Sequence, residues 1–222
     1  MNKLPIYTKL LCLFLAALGV LTLPTADAQP TSQLNNIFRR IFDDDDDDPP
    51  LISRGDLCVV APATAGVGTP AIWHEHPVIV FKPGSIEKLA LREEATNVVF
   101  WEYSPTAAAT HVIYDGEPLR SERVYRLDLY LDADADSPTK FPDFRLLSEA
   151  ERQLISQDLA MATPKDADTP PEDWDAIQRA EYFVEQGLRL DAIQALFAVE
   201  TPSAELITTQ QQIIESACDA QG

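Results

Sequence analysis

The chain has 222 residues, 36 acidic against 17 basic side chains, and a formal charge of −19. An apolar content of 45% suffices for one or two packed domains and excludes wholesale disorder. So acidic a surface repels phosphate, which excludes nucleic acid as a partner and disfavours an anionic membrane surface.

Residues 1–28 read as a secretory leader. Lys3 and Lys9 give it a positive start, Leu10 to Leu23 form an apolar run, and Ala26-Asp27-Ala28 supplies a small-x-small cleavage site. The run is shorter than the ~20 apolar residues that span a bilayer. Cleavage after Ala28 and delivery to the periplasm or the exterior are therefore expected, with no transmembrane anchor left behind. Cys12 leaves with the leader, whereas Cys58 and Cys218 remain. In an oxidising compartment these two are expected to form a disulfide, with free buried thiols as the alternative. Closing so long a loop is worth about 4–5 kcal/mol in the chain-entropy model.

Residues 29–50 read as a disordered acidic linker, because Asp43 to Asp48 are six like charges in a row running into Pro49-Pro50. Within it, Leu34, Ile37, Phe38, Ile41 and Phe42 recur at helical spacing around Arg39 and Arg40. A stretch this short holds a helix only when docked, on a partner or on the protein itself.

From 51 to 147 the pattern is strand-like. Val124 to Asp132 alternates, with Tyr125, Leu127, Leu129 and Leu131 directed to a core and Arg126, Asp128, Tyr130 and Asp132 to water. Further strands are expected at 57–61, 78–81, 88–92, 98–103, 111–114 and 144–147. Turns at Pro83-Gly84, Ser104-Pro105, Asp115-Gly116 and Ser137-Pro138 separate them. Seven short strands suggest an antiparallel β-sandwich. Leu119 followed six residues later by Tyr125 resembles the tyrosine corner of immunoglobulin-like and fibronectin III-like sandwiches.

After 147 the period becomes helical, giving an α+β chain with a C-terminal helical hairpin bundle over 148–222 packed on the sandwich. Ser148 and Glu151 form a capping box ahead of Leu154, Ile155 and Leu159. A second helix carries Trp174, Ile177, Phe183 and Val184 and stops near Gly187, and a third carries Ile193, Leu196 and Phe197. Thr201 as N-cap and Pro202 open a fourth, whose stripe is Leu206, Ile207, Ile213, Ile214 and Ala217, with Cys218 on the same face. Ala180, Phe183, Ala192 and Leu196 also match tetratricopeptide spacing, but one such unit makes no solenoid.

Candidate chemistry is sparse. His74 and His76 share a strand face and with His111 could make a three-histidine metal site, although Pro77 marks an edge or bend there. Asp132, Asp134, Asp136 and Asp143 fall at calcium-loop positions, but Ser137 replaces the turn glycine and Lys140 intrudes. Arg54-Gly55-Asp56 spells an adhesion tripeptide and reads better as a turn before Cys58. There is no nucleophile elbow, phosphate loop or dinucleotide fingerprint.

Trp101-Glu102-Tyr103-Ser104-Pro105, the Tyr-x-Leu strand from Tyr125, and the segment from Tyr182 through Gly187 to Asp191-Ala192-Ile193 resemble a family of secreted cyanobacterial proteins of unknown function. That resemblance implies an exported β-plus-helical architecture over about 51–218 and transfers no catalytic residue. The sequence leads to a non-enzymatic interaction protein with a protein or cell-envelope partner and no cofactor. The alternatives are a calcium-dependent adhesion module and a secreted hydrolase.

Overall fold

The computed structural model describes residues 30–42, 53–54, 57–62, 69–84, 86–132, 134–162 and 173–219. The leader and the aspartate run lie outside them, as do Gly55 and Asp56. The elements in order are α1 (Pro30–Phe42), β1 (Ser53–Arg54), β2 (Leu57–Ala61), β3 (Ala71–Ile72), β4 (Val78–Phe81), β5 (Lys88–Glu93), β6 (Val98–Tyr103), β7 (His111–Ile113), β8 (Val124–Tyr130), β9 (Thr139–Leu146), α2 (Glu149–Ala162), α3 (Trp174–Glu185), α4 (Arg189–Phe197) and α5 (Ala204–Asp219). Among the described residues the protein is α+β, with two mostly antiparallel sheets and five helices.

One sheet has the order β1-β2-β4-β7 and the other β3-β9-β8-β5-β6, in which only β3 and β9 run parallel. Every residue of β2 and β4 is buried, because α4 and α5 cover these strands on one side. On the other they share a core with Leu89, Leu91, Leu127 and Leu129 of the second sheet. Strands covered on both faces need unbroken apolar runs, and Leu57–Ala61 and Val78–Phe81 are such runs. A disulfide between Cys58 and Cys218 ties β2 to the last turn of α5 across 160 residues.

The expected strands all form, to within one or two residues at most ends. The last differs, because β9 begins at Thr139, where the ladder with β8 starts. The two-residue strands β1 and β3 carry too little pattern to be read from sequence.

β8 corrects the simple alternation. It is a central strand, and its second face is buried too: Arg126, Asp128 and Tyr130 are all buried, whereas Leu131 lies beyond the strand and is exposed. The polar face survives burial because it is paired. Asp128 receives Arg92 Nε at 2.7 Å and Arg126 Nε at 3.0 Å, and Lys88 Nζ lies 4.1 Å above the Tyr130 ring.

The segment read as the start of a linker is helix α1. Leu34, Ile37 and Ile41 are buried where it packs on α3 and α5, so its amphipathic stripe docks on the protein itself. Ser148 and Glu151 make the capping box, with Ser148 N donating to Glu151 Oε2 at 2.9 Å and Glu151 N to Ser148 Oγ at 3.3 Å. Gly187, at φ +73°, ends α3: its N–H bonds Val184 O and that of Leu188 bonds Phe183 O, the paired C-terminal closure that glycine permits.

α5 starts later than expected. Ser203, not Thr201, caps it by accepting from Leu206 N at 3.2 Å, and the Asp173 carboxylate receives Ser203 N. Ile207 of the expected stripe is exposed, and Thr209 and Gln210 take buried places; Gln210 Nε2 donates to Leu196 O at 2.8 Å. Leu154 of α2 is likewise exposed.

Candidate functional site

The most distinctive surface feature lies where the edge strand β6 meets the crossover from β7 to β8. Trp101 pairs with Leu91 and Val99 with Arg92, so Phe100 is the extra residue of a β-bulge. A bulge re-aims side chains. Phe100 consequently stands edge-on to both Tyr114 (ring centroids 6.0 Å apart) and Tyr125 (5.7 Å), while remaining 41% exposed. Trp101 also meets the Tyr114 ring at 5.5 Å, and its Nε1 donates to Asp115 Oδ1 at 2.7 Å.

The crossover is shaped around two tyrosine hydroxyls. Tyr114 folds back over Gly116 and donates to Glu117 O at 2.7 Å. A β-carbon at residue 116 would collide with the Tyr114 ring and hydroxyl, so any other residue there would push that ring out of its place over the turn. The Tyr125 hydroxyl accepts from Arg120 N at 2.8 Å and donates to Arg120 O at 3.3 Å. Glu122, at φ +63°, turns the chain into β8 between Arg120 and Arg123.

These parts enclose an open cleft of about 260 Å³ whose lining includes Phe100, Tyr114, Tyr125, Glu93, Arg120 and Arg123. Arg123 Nη1 pairs with Glu93 Oε1, and that bond, with Thr96 Oγ1 beside it, holds the Glu93 carboxyl below its usual range. Burial raises both tyrosine hydroxyls, so they remain neutral. The lining thus combines an exposed aromatic edge with planar donors and acceptors of both charges. An apolar ring beside a few convergent polar groups is the usual make-up of a small-ligand pocket.

The sequence-derived candidates lie elsewhere. Asp132, Asp134 and Asp136 are exposed in the β8–β9 loop, where Asp132 Oδ1 accepts from Asp134 N at 2.9 Å. Asp143 is on β9 opposite Arg126, four residues down the ladder from Tyr130, or about 13 Å at the usual strand rise. No group of three or more His, Cys, Asp or Glu among the described residues could hold a metal.

The histidines are engaged separately. His74 Nδ1 lies 2.7 Å from Asp191 Oδ1, His76 Nδ1 is 3.2 Å from Tyr114 O, and His111 packs on the Phe197 ring. Asp191 and Gln194 are fully buried polar residues of α4 that accept from Trp73 N and Val78 N, fastening the β3–β4 segment to the helix. Sequence reasoning missed Phe100, Arg120 and Arg123; the Asp115-Gly116 turn and the Tyr125 spacing were the available signals.

Among the described residues, no helix is long and apolar enough to cross a membrane. No protein-family model matches the chain, and no curated protein does.

Proposed function

We propose that this is an exported, non-enzymatic binding protein of the periplasm or cell exterior, akin to the secreted cyanobacterial family it resembles, and that it engages a cell-envelope partner through the Phe100 cleft. In this reading the two sheets form an immunoglobulin-like or fibronectin III-like sandwich, with α3 and α4 as the helical hairpin packed on it. The Tyr125 hydroxyl on the Arg120 backbone supports the sandwich, because that bond is the tyrosine corner of such folds. The Cys58–Cys218 disulfide supports export, since such bonds persist in oxidising compartments.

The observation that carries the binding role is Phe100. An aromatic ring 41% exposed, held over two tyrosines by a bulge and flanked by guanidinium and carboxylate groups, suits recognition better than packing. The test is retention on an isolated cell-envelope fraction by the oxidised protein and by Phe100→Ala. Retention that falls about tenfold in the variant supports the reading. Equal retention of the two proteins, or none, overturns it, as would a turnover abolished by changing one carboxylate.

A further inference from the structure

Resting on the cleft as the binding site, we propose that its ligand is one ring of an uncharged saccharide. Each part of the lining removes an alternative. Arg120 and Arg123 disfavour a cation, while a chain carrying −19 with Glu117 on the rim disfavours an anion. A hydrocarbon ligand would strip water from Glu117, Arg120 and the outer edge of the Glu93–Arg123 pair while offering none of them a hydrogen bond, which is costly. A neutral polyol avoids all three penalties.

It also uses what is present. A pyranose has an apolar C–H face and an equatorial rim of hydroxyls. The apolar face has Phe100 to lie on, with Val98, 55% exposed, extending that surface. Vicinal hydroxyls match the forked donors of the exposed Arg120 and the acceptor oxygens of Glu93. The Glu93–Arg123 pair presents an acceptor and a donor side by side, as one hydroxyl that both accepts and donates requires. A cleft of about 260 Å³ lies below the usual range for drug-sized ligands and suits one ring of a longer chain.

The probes are the methyl glycosides of glucose, galactose and mannose, with glucuronate as the anionic arm, titrated calorimetrically into the oxidised protein. Saturable millimolar binding of at least one neutral glycoside is expected, weakened about tenfold or more in both Phe100→Ala and Arg120→Ala. Both side chains are surface groups, and the backbone of Arg120 that Tyr125 grips is unchanged in the variant, so folding is retained. Tighter binding of glucuronate than of every neutral glycoside overturns the proposal in favour of an anion site. Absence of binding by all three glycosides also overturns it. If envelope retention still depends on Phe100 in that case, the cleft stands and the saccharide alone has failed.

Discussion

The hydroxyl of Tyr125 holds the backbone of Arg120 at both ends, accepting from its N–H at 2.8 Å and donating to its carbonyl at 3.3 Å. The bond closes the crossover before β8 and sets one wall of the cleft. It also fixes where the Arg120 side chain leaves the chain.

Tyr125→Phe removes that bond and keeps the ring packed on Phe144. A loss of about 0.5–1.5 kcal/mol is expected, lowering the melting temperature by roughly 2–4 °C per kcal/mol for a chain of this size. Glycoside affinity should fall with it, because Arg120 is released. Thermal denaturation and titration of the same sample check both.

Asp128 makes a sharper stability test. It is fully buried between Arg92 and Arg126, so Asp128→Ala leaves two guanidinium groups without their shared carboxylate. Breaking a buried pair costs about 3–5 kcal/mol. Asp132→Ala in the exposed loop should change stability by no more than about 0.5 kcal/mol. Denaturant unfolding of the two variants compares them directly.

That contrast marks what the sequence could and could not tell. Alternation from Val124 to Asp132 identifies the strand and its apolar face, two residues too long at its end, because period-two patterning is local. It could not reveal that β8 is central, nor that arginines on β5 and β8 converge on Asp128, because those facts belong to the ladder. The same holds for Phe100: Val98–Tyr103 reads as an ordinary strand, and only its register against β5 exposes the extra residue. Leu131, Ile207 and Thr201 misled for a related reason, as each lies at the end of an element or beside a stripe whose rotation is set by packing. Tyr125 was legible because its bond reaches only five residues back.

The disulfide predicts that non-reducing peptide mapping recovers the peptides of Cys58 and Cys218 joined. Replacing both cysteines by serine should cost about 2–5 kcal/mol, read as a lower denaturant midpoint with a steeper slope, because the unbridged unfolded chain exposes more surface. Separate peptides from protein purified without reductant would contradict the structure.

Two groups give opposite pH signatures. Burial lowers the pKa of His111 from 6.5, so the unfolded chain binds more protons between the two values. Stability from the neutral ring is complete above 6.5 and is lost as pH falls through the folded value. Asp143 is raised from 3.8 by burial, with Glu94 and Asp128 adding to the rise against Arg126. Its cost is absent below 3.8 and fully present above the folded value. Hence Asp143→Asn should raise the melting temperature at neutral pH and leave it unchanged in acid, whereas His111→Phe should flatten the loss of stability below about 6.5. Melting curves across pH test both signs.

The most direct measurement is a chemical-shift map of the labelled, oxidised protein titrated with a solubilised cell-envelope polysaccharide. Binding at the Phe100 cleft predicts that the largest changes fall on Phe100, Tyr114 and Tyr125, with Arg120 and Arg123 beside them. Changes centred on the Asp132–Asp136 loop, or on the exposed Leu154 face of α2, would contradict it.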